Sequence, residues 1–164
     1  MAKYRQVTGD VIWAQFTFEP EFAQRQRRRT GARLRGKHYE KRALAHLREE
    51  YGPRVMCSPW IQYMDESGKH FCQPDALLFN VEKGSITCIE VKYQHTPDAW
   101  LQLRRLYTPI LERLFATPDR LWHFPVVEMV KWFDPQTAFP ESIRMAAALH
   151  LASSREFNVH IWNP

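Results

Sequence analysis

The stretch "QPDALLFNVEKGSITCIEVKYQ", residues 73–94, decides the fold because it joins two apolar runs through a short polar segment. The runs "ALLF" and "ITCIEVKY" are as hydrophobic as strands that are covered on both faces of a sheet. Charged residues nevertheless stand at their ends, at Asp75, Glu90 and Lys92. A buried carboxylate is costly unless it is paired, so these three residues need a chemical explanation.

Strand geometry predicts that these charged residues meet. Side chains alternate along a strand, so Glu90, Lys92 and Gln94 share one face. If residues 82–83 or 83–84 form a two-residue hairpin loop, Asp75 lies opposite Glu90 or opposite Lys92. Both registers put Asp75 on that same face, whereas a three-residue loop without a bulge would not.

Two carboxylates on one sheet face repel each other unless one is protonated or a cation lies between them. Oxygen ligands beside a lysine indicate Mg²⁺, which typically takes one or two protein carboxylates together with waters and phosphate oxygens. A third acid, Glu40, shares a helical face with Ala43, Leu44 and Leu47, and is out of place there as a surface residue. Gly36, one turn earlier, is expected to let that face approach the sheet closely.

The charge of the chain is concentrated in its first third. Residues 25–48 contain ten Lys or Arg and one acid, a net charge of +9 in a chain whose total is +5. A basic block on a near-neutral body is typical of a protein that binds the phosphate backbone. A solvated helix face is the alternative. Arginine dominates the block, and its planar guanidinium suits phosphate, which favours nucleic acid.

Length and composition exclude several classes of protein. The 164 residues suit one domain with a real core, and 45% hydrophobic with 25% charged residues is ordinary globular usage. No apolar run approaches the roughly 20 residues of a membrane helix, and "MAKYRQVTGD" lacks the apolar region of a secretory signal. The three cysteines are odd in number and widely spaced. A reducing, cytoplasmic setting is expected, without a zinc finger or a disulfide framework.

We expect one domain over residues 31–164, preceded by an N-terminal arm and the start of the basic helix over residues 1–30. "VIWAQFTF" forms a strand or an ordered arm. A helix to residue 51 precedes three strands, near residues 55–65, 71–79 and 85–93. A second helix begins near Pro97 with a kink at Pro109. A strand in "FPVVEMVKWF", a helix in "SIRMAAALHLASS" and a strand in "FNVHIWN" follow. The order αβββαβαβ predicts an α/β fold with a mixed central sheet flanked by helices.

"QPD" followed by "EVK" on adjacent strands resembles the PD-(D/E)XK nuclease superfamily, which has a restriction-endonuclease-like fold. "GKHYE" is similar to the part of that superfamily's first helix that supplies an accessory glutamate. The resemblance covers roughly residues 36–111. The small resolvases and the end-cleaving subunits of cut-and-paste transposons look equally similar. Some branches carry a Gln and a Tyr one turn apart on the next helix; Gln102 and Tyr107 are one residue too far apart for that spacing, which argues against those branches.

The resemblance implies a Mg²⁺-dependent deoxyribonuclease, with endonuclease action favoured and Mn²⁺ as a substitute metal. Asp75 and Glu90 would be the metal ligands, and Glu40 would complete the metal shell directly or through water. Lys92 would orient or activate the attacking water, and Gln94 would be the extra polar residue after the lysine. DNA is the expected partner; a second copy of the chain, or a protein of recombination or transposition, stays open as another. The predicted DNA-binding residues are Arg27, Arg28, Arg29, Arg33, Arg35 and Lys37.

Two other classes of function stay open. One is a nucleic-acid-binding module on the same fold without turnover, against which the intact Asp, Glu and Lys argue. The other is an assembly protein whose basic face binds a protein partner. His95 falls on the opposite strand parity from Lys92 and is interpreted as a loop residue. His70 and Cys72 have no partner pair at metal-binding spacing, so zinc is not expected.

Overall fold

The computed structural model describes residues 5–24, 30–132 and 157–164. The described strands are β1 (Trp13–Thr17), β2 (Val55–Cys57), β3 (Trp60–Asp65), β4 (Gly68–Cys72), β5 (Ala76–Asn80), β6 (Ser85–Gln94), β7 (Val126–Trp132) and β8 (Phe157–Ile161). The α-helices are α1 (Glu21–Gln24), α2 (Ala32–Tyr51), α3 (Pro97–Gln102) and α4 (Thr108–Leu114). A 3₁₀ turn (Gly52–Arg54) follows α2, and a π-helical segment (Leu103–Tyr107) joins α3 to α4.

Two sheets form the framework. The larger has the strand order β2-β5-β6-β7-β8, and the smaller has the order β1-β3-β4. Neighbours are antiparallel from β2 to β6 and in the small sheet, whereas β6, β7 and β8 run parallel. The predicted α/β class is therefore confirmed, as are the strands β7 and β8, although the strands form two sheets instead of one central sheet.

The first two predicted strands are wrong as continuous elements, because each is divided between the two sheets. Ser58, with a φ of 52°, and Pro59 end β2 and turn the chain into β3. Gln73 and Pro74 likewise separate β4 from β5. The two crossing points are hydrogen-bonded to each other: Ser58 N donates to Asp75 O at 2.7 Å, and Gln73 Nε2 donates to Ser58 O at 2.9 Å. This pairing fixes the chain immediately before β5.

The register between β5 and β6 is the one predicted for a loop at residues 82–83. Ala76 lies opposite Ile89, and Asn80 opposite Ser85. Continuing the pairing by one residue brings Asp75 opposite Glu90, on the face that also carries Lys92.

Two hydrophobic clusters cover the two faces of the large sheet. On one face, α2 packs Tyr39, Ala43, Leu44 and Leu47 against residues of β5, β6 and β7. On the other, the segment from α3 to α4 packs together with the small sheet. Because side chains alternate, the α2 face takes the odd-numbered residues of β6, and Glu90 and Lys92 point to the opposite face.

The predicted kink at Pro109 takes the form of the π-helical segment that precedes it. Pro109 has no N–H to donate to the carbonyl of Arg105 four residues earlier. That carbonyl instead accepts a hydrogen bond of 3.0 Å from Val7 N. The break in the helix therefore anchors the N-terminal segment against it.

Some predicted features lie outside the described residues: the helix in "SIRMAAALHLASS" and the arginines at 27–29. Among the described residues, no helix has the length and apolar character needed to cross a membrane. The three cysteines are free thiols. Burial raises the pKa of Cys72 to about 12, so this thiol stays protonated and unreactive.

Candidate active site

Asp75 lies immediately before β5, at the end of the β5–β6 pair that is remote from the connecting turn. Its Oδ2 accepts a hydrogen bond of 2.6 Å from Val91 N. Burial, followed by the negative charge of Glu90, raises the pKa of Asp75 well above its usual range, although the hydrogen bond from Val91 opposes the rise. A raised pKa of this kind favours the protonated form of the carboxyl.

Glu90 is 3% exposed and has one paired and one unpaired oxygen. Its Oε1 lies 2.5 Å from Lys92 Nζ, whereas Oε2 is buried without a hydrogen-bond partner among the described residues. Burial raises the pKa of Glu90, Lys92 opposes the rise, and the charges of Glu40 and Glu128 add to it. A buried carboxylate oxygen without a partner is costly unless the group is protonated or a ligand binds it.

Lys92 keeps its charge despite its partial burial. Burial alone would lower its pKa, but the attraction and hydrogen bond of Glu90, with the charge of Asp75, raise the pKa above its ordinary value. The ammonium group is therefore a positive charge held beside the Glu90 carboxylate. A group of this kind can stabilise negative charge that develops on a phosphate.

Glu40 lies on α2, which packs against the sheet face opposite to the one that carries Glu90 and Lys92. Its charge raises the pKa of both Asp75 and Glu90. Its side chain is 23% exposed, and its Oε1 pairs with Lys37 Nζ at 2.6 Å. The interpretation of Gly36 is wrong: a Cβ at Gly36 would meet no atom within 4 Å, so close packing does not explain this glycine.

The remaining predicted site residues lie at the edges of this cluster. Gln94 is exposed at the end of β6, at the register position opposite Trp132. Arg33, Arg35 and Lys37 are exposed on the first turns of α2. The predicted DNA-binding residues Arg27, Arg28 and Arg29 lie outside the described residues.

Sequence reasoning missed a fourth acid, Glu128, on the parallel strand β7. Glu128 is the register partner of Glu90 and is 0% exposed. Its Oε2 forms a short hydrogen bond with Nδ1 of His95, and its Oε1 has no partner among the described residues. His95 follows β6, as predicted, but it is buried. The available signal was an acid inside the apolar run "PVVEMV"; its neighbour on the sheet depends on non-local strand pairing.

Two consecutive hydrogen bonds connect α3 and the π-helical segment to the "QPD" turn, residues 73–75. Gln102 Nε2 donates to Tyr107 Oη at 2.6 Å, and that hydroxyl donates to Gln73 O at 3.0 Å. The two side chains therefore meet despite their spacing, because a π-helical turn brings residues five apart onto one face.

The donor set fits a hard divalent cation by its chemistry. Asp75, Glu90 and Glu40 supply carboxylate oxygens, the ligands that Mg²⁺ and Mn²⁺ prefer, and Glu90 Oε2 is unpaired. The side chains are not gathered around one point, since no group of three or more His, Cys, Asp or Glu in the described part of the chain is arranged to hold a metal ion. No family model, curated protein or solved structure matches the chain.

Proposed function

We propose that this protein is a metal-dependent deoxyribonuclease that hydrolyses phosphodiester bonds of DNA, with endonuclease action and a restriction-endonuclease-like core of the PD-(D/E)XK type. The observation that carries the proposal is the alignment of Asp75 with Glu90 and Lys92 on one sheet face. Two carboxyls with raised pKa values and a lysine that keeps its charge form a site suited to phosphoryl chemistry.

Each side chain has a separate task in this proposal. Asp75 and Glu90 hold the cation, and Glu40 supports it from α2. The bound cation supplies Lewis-acid polarisation of the phosphate and a lower pKa for its water. Lys92 positions the attacking water and stabilises the negative charge of the phosphate during the displacement. The basic residues at the start of α2 hold the flanking backbone by charge.

The raised pKa values make cation binding a competition with protons. In the metal-free protein the carboxyl pair is stabilised by retaining a proton, because two adjacent charges in a buried site repel each other. Asp75 and Glu90 would release that proton on holding a divalent cation, whose charge would offset the repulsion. Metal binding should therefore release protons and strengthen as the pH rises.

The test is incubation of the purified chain with supercoiled, linear, single-stranded and branched DNA, with Mg²⁺ and with EDTA. Cleavage is expected with Mg²⁺ only. Asp75→Ala and Glu90→Ala should abolish cleavage and leave DNA affinity in EDTA unchanged. Glu82→Ala, which removes an exposed acid from the β5–β6 turn, is the matched control and should cleave like wild type. Wild-type turnover in the Asp75 or Glu90 variant would overturn the assignment.

A nucleic-acid-binding module without turnover is the second candidate. The direct pairing of Lys92 with Glu90, and the lack of three converging metal-ligating side chains among the described residues, favour it. This function predicts salt-sensitive DNA binding that is indifferent to Mg²⁺ and to the Asp75 and Glu90 substitutions. The same incubation distinguishes the two functions.

A further inference from the structure

A second basic feature lies on the opposite flank of α2 from Glu40. It is a pocket of about 280 Å³ between that flank and the ends of β6 and β7. The residues of its wall that matter here are Arg35, His38, Tyr39, Arg42, Tyr93 and Lys131. Three cationic side chains and a histidine thus surround one concave space, and no Asp or Glu side chain lines it, although the C-terminal residue Pro164 does.

The positive charge of this pocket is not neutralised in the described part of the chain. Arg35, Arg42 and Lys131 form no ion pair with a carboxylate there, whereas Lys37 and Lys92 each pair with a glutamate. Lys131 Nζ lies 5.4 Å from the centre of the Tyr93 ring and 5.8 Å from that of Trp132. Unpaired cations held in a concavity favour an anionic ligand.

The pocket is separate from the carboxylate site. Arg35, His38 and Arg42 are spaced three and seven residues apart on α2 and share one flank. Glu40, five residues after Arg35, lies roughly 140° around the helix from it. On β6, Tyr93 points to the α2 face, whereas Lys92 points to the other. A ligand in this pocket would not contact Asp75 or Glu90.

The aromatic part of the pocket wall is formed by Tyr39 and Tyr93. Tyr39 Oη donates a hydrogen bond of 2.8 Å to Trp162 O, and burial raises the pKa of Tyr39 to about 12. The Tyr39 and Tyr93 rings meet edge to face, with centroids 5.9 Å apart. Aromatic rings beside cations are the usual combination in sites that take single nucleotides of a strand, where the ring supports the base and the cation holds the phosphate.

We infer that this pocket binds one backbone phosphate of a DNA strand, held by Arg35, Arg42 and Lys131, with the adjoining nucleotide against Tyr93. Its volume is near the lower end of the roughly 300–1,000 Å³ typical of small-ligand sites, which suits a single nucleotide unit. The inference rests on the proposed function only in taking DNA as the partner. It adds a binding site on the α2 face of the sheet, whereas Glu90 and Lys92 point to the other face.

The experiment measures DNA binding by the full chain in EDTA, where no cleavage occurs, over about 50 to 200 mM salt. Arg42→Gln with Lys131→Gln should flatten the slope of log K against log[salt] by about one, the effect of one lost phosphate contact. Lys69→Gln with Lys83→Gln removes the same charge away from the pocket and should leave the slope unchanged. Arg42→Lys with Lys131→Arg keeps the charge and should retain the wild-type slope.

If the Lys69/Lys83 variant lost as much of the salt slope as the Arg42/Lys131 variant, the inference would be overturned. DNA binding would then depend only on the total charge of the protein. A deoxynucleoside monophosphate that stabilises wild type but not the Arg42/Lys131 variant, with unchanged DNA binding, would also overturn it and indicate a free nucleotide. The two proposals fail separately. DNA binding through the pocket without cleavage would contradict the nuclease alone, and cleavage with an unchanged slope in the pocket variant would contradict the pocket alone.

Discussion

The side-chain amide of Gln102 donates a hydrogen bond of 2.6 Å to the hydroxyl of Tyr107, five residues further along the chain. The π-helical segment brings the two side chains together, and the Tyr107 hydroxyl donates a hydrogen bond of 3.0 Å to Gln73 O. The hydroxyl therefore has a donor and an acceptor in a buried position, next to the turn that carries Asp75.

Tyr107→Phe should lower the free energy of unfolding by about 1 kcal/mol, because Gln102 and Gln73 each lose a partner. Tyr63→Phe is the matched control: the Tyr63 hydroxyl is buried without a partner among the described residues, so its removal should be neutral or stabilising. Urea denaturation of both variants measures the difference. Equal effects would show that the Tyr107 hydrogen bonds add nothing.

Asp75→Asn should raise the stability of the metal-free protein at neutral pH. Since the folded-state pKa of Asp75 is raised, its stabilising contribution is complete below the ordinary aspartate pKa and is lost as the pH rises through the raised value. Asparagine keeps the neutral state at every pH, so the gain should vanish in acid. Denaturation in EDTA at acid and neutral pH checks this, and destabilisation at neutral pH would contradict it.

Asp65→Asn should behave in the opposite way. Burial alone would raise the pKa of Asp65, but hydrogen bonds from Ser67 and Thr8 lower it to about 2. Its contribution is therefore present above the ordinary aspartate pKa and is lost as the pH falls through the lowered value. The substitution should cost about 2 kcal/mol at neutral pH, and the cost should shrink in acid.

Lys92→Ala should retain divalent-metal binding and lose about 10² to 10³ in cleavage rate, because in the proposed site the lysine would stabilise the reacting phosphate without being a ligand. Glu40→Ala should raise the Mg²⁺ concentration needed and keep some cleavage at high Mg²⁺ or with Mn²⁺. Calorimetric metal titration beside single-turnover cleavage separates the two roles. Loss of metal binding in the Lys92 variant, with a Glu40 variant identical to wild type, would refute the arrangement.

Glu128→Gln should shift metal binding to lower pH. The charge of Glu128 contributes to the raised pKa of Glu90, and its removal makes Glu90 easier to ionise. Glutamine still offers His95 a carbonyl acceptor, which limits structural damage. Metal titrations from acid to neutral pH measure the midpoint, with Glu112→Gln on the exposed side of α4 as control. Identical pH midpoints of metal binding in the two variants would contradict an effect of Glu128 on Glu90.

Gly36→Ala should stabilise the protein by about 0.5–1 kcal/mol, because a helix-interior glycine costs that much relative to alanine and the space at Gly36 is open. Gly31→Ala is the control. The space there is also open, but Gly31 has a φ of +61°, which alanine adopts only with strain. The midpoint temperature of unfolding should rise in Gly36→Ala and fall in Gly31→Ala. A Gly36 variant that is less stable than wild type would indicate a packing role.

Local patterns were sufficient for the centre of this fold. The alternation in "ITCIEVKY" and the short turn before it determined the β5–β6 register, and with it the placement of Asp75 beside Glu90. The spacing of Ala43, Leu44 and Leu47 determined the buried face of α2. Each of these features depends on contacts within a strand, a turn or a helix, which residue spacing specifies.

Tertiary structure decided the features that depend on distant partners. The division of the predicted strands at Ser58 and Pro74 follows from two crossing points that hydrogen-bond each other. Glu128 lies beside Glu90 because β6 and β7 pair in parallel, and no local signal specifies the register of strands joined by a long crossover. Gln102 contacts Tyr107 because a π-helical turn brings the two side chains together. Within that turn, the carbonyl of Arg105 accepts a hydrogen bond from Val7 N, about a hundred residues earlier in the chain. Residue spacing describes only neighbours along the chain, whereas these contacts join segments that meet only when the sheet is assembled.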